Sequence, residues 1–238
     1  MARPKKSTPI RKRSSPVIAM QPTPLAHPLK PRYEQAAFAI VGIGSSAGGV
    51  EALEEFFRHL PPDPGAAFVV VSHQHPAHSS LLPEILRRWT HLPVIEATDG
   101  LSVEPNTVYL PPPGSRLAIL HAVLHLMNAG DGVRPVLPID YFFCSLSEDQ
   151  QDKAVGIILS GTGADGSLGL KAIKAESGLT MAQEPRSAKF AGMPQNAIAL
   201  GVVDVACDSA THSSGLDGNL MKRHQRLMQP YFTNLSPR

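Results

Sequence analysis

Apolar and polar positions along this chain alternate between two periods, and the alternation sets the architecture. AAFAIVGIG (36–44) is a continuous apolar run ending in glycine, which predicts a buried strand. GVEALEEFFRHL (49–60) follows with Val50, Leu53, Phe56, Phe57 and Leu60 at helical spacing, and Pro61, Pro62 and Pro64 stop that helix. The unit repeats as a strand over AAFVVVS (66–72) and a helix over SSLLPEILRRWT (79–90). Strand, helix, strand, helix implies a parallel sheet with crossover helices.

Residues 92–127 break the rhythm with short strand-like pieces between turns: LPVIEA, TDG, NTVYLPPPGS, RLAIL and VLHLM. RLAIL-HA-VLHLM predicts a hairpin, and the region is expected to add to the sheet in antiparallel fashion. Alternation resumes with a helix at 139–150, a strand at 154–161, a helix at 167–177 and a strand at 179–183. A strand around GVVDVA and a C-terminal helix near 210–229 complete the pattern. The expected fold is α/β, a doubly wound, mostly parallel sheet with helices on both faces and a small antiparallel hairpin addition.

Composition changes this picture at the N-terminus only. The chain has 238 residues, 42% hydrophobic and 18% charged, enough for one substantial core. Its net charge of +2 conceals an asymmetry: residues 1–33 hold eight Lys/Arg and no Asp or Glu, leaving 14 basic and 20 acidic residues in the rest. Pro4, Pro9, Pro16, Pro22, Pro24, Pro28 and Pro31 deny that stretch helix and sheet, so residues 1–35 are expected to be a disordered basic, Pro-rich tail. The tail carries the charge to contact an acidic surface, although a solvated extension is the plainer reading of such a charge run. One domain is expected over 36–229, with a flexible C-terminus at 230–238.

No segment approaches the ~18 apolar residues that a bilayer span needs, and the N-terminus lacks the apolar stretch of a secretory signal. Cys144 and Cys207 form no disulfide framework and suit a reducing compartment, so a cytoplasmic protein is expected.

Candidate chemistry gathers at three strand ends, where open parallel sheets bind ligands. The first strand delivers GSSAGG (44–49), the second SHQH (72–75), and the strand at 154–161 leads into SGTGADG (160–166). Gly42, Gly44 and Ala47 satisfy the dinucleotide fingerprint G-x-G-x-x-[GA], while Gly44, Ser46 and Gly48 satisfy the nucleophile-elbow pattern G-x-S-x-G. A dinucleotide site calls for an acid at the end of the second strand. Ser72 and His73 stand there, and the next carboxylate, Glu84, lies inside a helix.

Ser46, His73 and Asp165 instead make the set that acyl transfer needs: an oxygen nucleophile, an imidazole to carry its proton, and a carboxylate to orient the imidazole. The glycines around Ser46 are expected to give the chain room to lift the serine above the sheet. N–H groups at the following helix start, with a further donor near Thr162 and Gly163, are candidate oxyanion partners. A metal clamp remains a rival, because His73, His75 and His78 fit H-x-H-x-x-H on an extended backbone. Taken singly, each motif is also compatible with a plain turn, loop or helix cap.

Across about residues 38–208 the chain resembles the catalytic domain of CheB-type protein-glutamate methylesterases. The resemblance is carried by IVGIGSSAGGVEAL, VVVSHQHPAHSSLLPEIL, LPVIEATDGLSVEPNTVYLPPPG, LPIDYFFCSLSEDQ, AVGIILSGTGADGSLGLKAIK and MAQEPRSAKFAGMPQNAIALG, in that order. It implies a serine hydrolase that removes glutamate γ-methyl esters from the cytoplasmic helices of methylated chemoreceptors in chemotaxis signal transduction, releases methanol, and also deamidates receptor glutamines.

Ser46 matches the family nucleophile, His73 the base, Asp165 its orienting carboxylate and Thr162 a backbone donor of the oxyanion hole, with Ala47 beside the nucleophile. No cofactor, bound metal or nucleic acid is implied. Many relatives place a phosphorylation-controlled receiver domain before the esterase; here only the basic tail precedes it, so control through such a domain is not expected. Ala47 replaces a frequent Thr, and the residues before the aspartate, Gly163 and Ala164, also differ from the common pattern. A catalytically silent binding or signalling module of the same fold is the alternative from another functional class.

Overall fold

A computed structural model describes residues 36–73, 81–128 and 137–208. The predicted basic tail, the C-terminal helix near 210–229 and the residues after it lie outside these, as do His75 and His78.

Among the described residues the main sheet contains seven strands, all paired in parallel. They are β1 (Ile40–Ser45), β2 (Ala67–Ser72), β3 (Val94–Glu96), β5 (Val108–Leu110), β8 (Ala154–Ile158), β9 (Leu179–Gln183) and β10 (Val205–Cys207). Their spatial order is β10-β9-β8-β1-β2-β5-β3, so β1 lies between β2 and β8. The chain builds outward from β1 to one side and later returns to build on the other. Such a reversal opens a crevice at the carboxyl ends of the strands.

Side chains along these strands divide between two cores, one on each face. Val41 and Ile43 of β1, Phe68 and Val70 of β2, and Val155 and Ile157 of β8 pack with helices α1 (Gly49–Arg58) and α2 (Leu82–Leu86). Ile40, Ala67, Val69, Val71, Ala154 and Ile158 face the other way, toward α3 (Pro138–Gln150), α4 (Ser167–Ala175) and α5 (Gly192–Ala199). Two-sided burial explains why these strands read as unbroken apolar runs. Phe56 and Phe57 of α1 meet Phe68 edge to face, with centroids 6.1 Å apart in both pairs. Val50 does not join this core: it stands in the first turn of α1 at the carboxyl edge of the sheet and is 46% exposed.

In the middle of the chain the expected hairpin forms, but the short strands before it pair differently from the sequence expectation. The short pieces at 94–96 and 108–110 join the main sheet in parallel, with Phe68 opposite Val108 and Val94 opposite Val108 on the other side. The hairpin, β6 (Ser115–Leu120) and β7 (Val123–Asn128), forms a separate antiparallel sheet with β4 (Leu101–Ser102). Its two-residue turn puts His121 and Ala122 at φ 54° and 56°, a left-handed pair that side chains normally disfavour. Asp149 of α3 accepts both their amides, which ties the hairpin to the helix. The helix α5 was not read from the sequence, and α2 is shorter than its pattern suggests. Among the described residues no helix is long and apolar enough to cross a membrane.

Glycines decide how closely α3 approaches the sheet. A Cβ on Gly42 would lie 2.7 Å from Phe143 Cε1, and one on Gly44 would lie 2.4 Å from Ile139 Cγ2. The G-x-G of β1 therefore works as a groove for α3. On the next strand a Cβ at Gly156 would sit 2.6 Å from Leu170, which lets α4 settle in the same way.

At the far edge, Asp204 accepts hydrogen bonds from Lys174 Nζ (2.9 Å), Thr180 Oγ1 (2.7 Å) and the Thr180 amide (3.0 Å). Burial alone would raise this carboxyl, but those donors and the Lys174 charge hold it below the usual carboxylate range. A lowered native value means that the charged form stabilises the fold above the unfolded value and that this contribution disappears as pH falls through the native one.

Two outcomes are expected. Gly44→Ala loses about 1–3 kcal/mol of stability, read as a lower urea midpoint at unchanged slope, because Ile139 has nowhere to retreat. Asp204→Asn is expected to lower stability at neutral pH and to flatten the loss that the wild type should show below about pH 4, read by chemical denaturation across pH.

Candidate active site

The turn after β1 is built to hold Ser46 at the sheet edge. Ser45 ends the strand and is buried, and the Ser46 amide donates to the Ser160 carbonyl at 2.9 Å, extending the β1–β8 contact beyond the strand. The chain then reverses through Gly48, whose φ of 68° lies in the left-handed region, and the Gly49 amide closes the turn on the Ser46 carbonyl at 2.8 Å. Side chains are excluded for steric reasons too. A Cβ on Gly48 would meet Ser160 Oγ and Lys189 Cβ at 2.8 Å, and one on Gly49 would meet Ser45 Cβ at 2.7 Å. Gly48 and Gly49 thus serve the turn, whereas Gly44 of the same motif serves the α3 contact.

His73 follows β2 directly, and its ring bridges two side chains. Nδ1 lies 2.9 Å from Ser46 Oγ and Nε2 lies 2.8 Å from Asp165 Oδ2. The carboxylate only accepts, so the proton belongs on Nε2 and leaves the Nδ1 lone pair facing the serine hydroxyl. Both ring nitrogens of His73 are occupied by protein partners. His75 and His78, the other members of the proposed metal clamp, lie outside the described residues.

Asp165 is 2% exposed and is held from behind by the start of α3. The Asp140 amide donates to Oδ1 at 2.9 Å and the Ile139 amide to Oδ2 at 3.2 Å. These are orphan donors of a helix N-terminus, whose dipole favours negative charge, so a carboxylate kept from water is still satisfied. Three elements distant in sequence thus meet: Ser46 above β1, His73 above β2, and Asp165 beyond β8.

The loop from Gly161 to Ala164 lies beside the serine, since a Cβ on Gly161 would be 3.0 Å from Ser46 Cβ. The loop is fixed by α5, which sequence reading missed. The Met193 amide donates to the Gly161 carbonyl at 2.9 Å, and Asn196 Nδ2 donates to the Gly163 carbonyl at 2.7 Å. With the Gly161 carbonyl directed at α5, the trans peptide points the Thr162 N–H the opposite way. Among the described residues neither the Thr162 amide nor the Ala47 amide has an acceptor.

Ser160 joins these parts from below and was also missed. It is fully buried; its hydroxyl donates to the Ala47 carbonyl at 2.9 Å and accepts the Phe190 amide at 3.0 Å. Its own amide donates to Gln183 Oε1 at 2.9 Å. In the sequence Ser160 is one more serine at a strand end, without a motif to distinguish it.

Comparison with known proteins identifies relatives of the chain and of its fold. Residues 41–212 match the family model described as CheB methylesterase. The chain is 37% identical over 180 residues to the protein-glutamate methylesterase/protein-glutamine glutaminase 2 of Burkholderia lata, covering 73% of this chain and 52% of that protein. A putative protein-glutamate methylesterase/protein-glutamine glutaminase of Leptospira interrogans is 33% identical over 168 residues, 70% of this chain and 87% of that one. The crystal structure of the Thermotoga maritima CheB methylesterase catalytic domain superposes with a TM-score of 0.70 at 29% identity, over 76% of this chain and 98% of the domain. The chain spans about half the length of the Burkholderia relative.

Ser160→Ala removes the hydroxyl shared by the Ser46 turn and the Phe190 segment and takes that partner from the Ala47 carbonyl and the Phe190 amide. A loss of about 1–3 kcal/mol in denaturant stability is expected.

Proposed function

The chain belongs to the CheB methylesterase family, and from that premise we propose that it is a serine hydrolase that demethylates glutamate γ-methyl esters on methyl-accepting chemoreceptors. The observation that carries this reading is the unbroken path from Ser46 Oγ through the His73 ring to Asp165, with separations of 2.9 and 2.8 Å.

In this reading His73 Nδ1 takes the Ser46 proton as Oγ attacks the ester carbonyl. The tetrahedral oxyanion is received by the unpaired amides of Ala47 and Thr162, each such donor contributing on the order of 3 kcal/mol to the barrier reduction. Collapse expels methoxide, which leaves as methanol with the proton from His73. A water molecule, activated by the same nitrogen, then frees the glutamate carboxylate and restores Ser46. Asp165 keeps the Nε2 proton in place and stabilises the imidazolium while it lasts. Its own charge is balanced by the α3 amides.

The same attack on a glutamine side chain would release ammonia, and the names of the relatives include glutaminase activity. The substrate surface in this reading is a methylated receptor helix on the cytoplasmic side. The exposed Val50 and Phe190 stand beside the serine turn as apolar groups available to such a helix.

Methanol release from a methylated receptor fragment tests the reading. Ser46→Ala and His73→Ala are expected to lose at least about a thousandfold in kcat, and Asp165→Asn about a hundredfold or more. Equal rates in wild type and Ser46→Ala would remove the serine mechanism.

A further inference from the structure

Asp140 is a buried carboxylate that the mechanism above does not use. It sits in the first turn of α3, is 8% exposed, and one of its oxygens, Oδ2, has no hydrogen-bond partner among the described residues. The other, Oδ1, accepts the Gly169 amide at 2.7 Å, in the first turn of α4. Asp165, which leads into α4, accepts the amides of Ile139 and Asp140 in the first turn of α3. Each helix start therefore receives the carboxylate supplied by the other. The contact is close as well as reciprocal: a Cβ on Gly169 would fall 3.2 Å from Asp140 Cα and 2.4 Å from Phe143 Cβ.

Keeping a second carboxylate buried next to Asp165 is costly. Burial pushes the Asp140 carboxyl above the usual carboxylate range, the Gly169 amide opposes this, and the neighbouring Asp165 charge adds to it. A side chain whose only task was to fill space there would be better apolar. What Asp140 supplies is a fixed distance between the two helix starts. The α3 amides that hold Asp165 and the α4 turn that follows Asp165 cannot shift independently while Asp140 bridges them.

We propose that Asp140 is a positioning residue for the hydrolysis: by joining the start of α3 to the start of α4, it holds Asp165 at the distance from which its carboxylate orients His73. The inference rests on the Ser46 reading, so its test uses a readout that reports on Ser46 directly. A fluorophosphonate probe reacts when the serine oxygen attacks phosphorus and fluoride departs, and the rate depends on activation by His73.

Labelling rates per folded molecule are measured for wild type, Ser46→Ala, Asp140→Ala and Asp140→Asn, with kcat and KM for methyl-ester hydrolysis alongside. Asp140→Ala is expected to slow labelling and kcat by about 10- to 100-fold at unchanged KM, the effect of losing the buried acceptor that joins the two helix starts. Asp140→Asn keeps an oxygen for the Gly169 amide and is expected to recover most of the loss, to within about threefold of wild type. If Asp140→Ala does not fold, Asp140→Ser, too short to reach Gly169, is read against the same thresholds. Wild-type rates in the alanine or serine variant, or no recovery in the asparagine variant, would overturn the proposal. Absence of labelling in wild type itself would instead overturn the serine mechanism.

Discussion

Everything at the candidate site depends on one buried charge being made tolerable. Asp165 is shielded from water, and its carboxylate is satisfied by two α3 amides and the His73 ring. A carboxylate stripped of water without such partners would take up a proton or pull the structure apart. The helix start must therefore arrive at the right place, and this requirement reaches back into the sheet. The α3 backbone gets there because Gly42 and Gly44 leave a groove in β1 that Ile139 and Phe143 fill. The same strand carries Ser46 just beyond its end. A packing requirement on one face of β1 and a chemical one at its tip are thus met by neighbouring residues.

That dual use explains where sequence reading succeeded and where it stopped. The strands β1, β2, β8 and β9 and the helices α1, α3 and α4 are legible because two-sided burial and amphipathic spacing leave strong periodic signals. Strands of three residues carry no such signal. β3 and β5 looked like parts of an antiparallel region because turn residues surround them, yet their parallel pairing is fixed by β2, a partner distant in sequence. The helix α5 escaped notice because Gly192 and Pro194 in its first turn resemble a loop, although proline is well tolerated there.

At the site, Ser46, His73 and Asp165 could be nominated from strand ends, because the topology of α/β sheets gathers those ends along one edge. Their supporting groups could not. Asp140, Ser160 and Asn196 act through distances between elements, and nothing in LPIDYFF or GMPQNAIA states which backbone amide or carbonyl each will meet. The role of each glycine likewise depends on what packs against it in the fold. Within GIGSSAGG, Gly44 makes room for a helix, while Gly48 and Gly49 make a turn.

The position of β1 between β2 and β8 has a consequence for how the protein is made. Ribosomal synthesis delivers β1 and β2 early, but β8 and the Asp165 loop follow more than 80 residues after β2. Until then one side of β1 is an open edge, and the serine and histidine are present without the acid that orders them. Long-range parallel pairing of this kind is slow to close. The nascent chain therefore carries Ser46 and His73 without Asp165 until β8 and its loop have emerged, and the candidate site is brought together only with completion of the sheet.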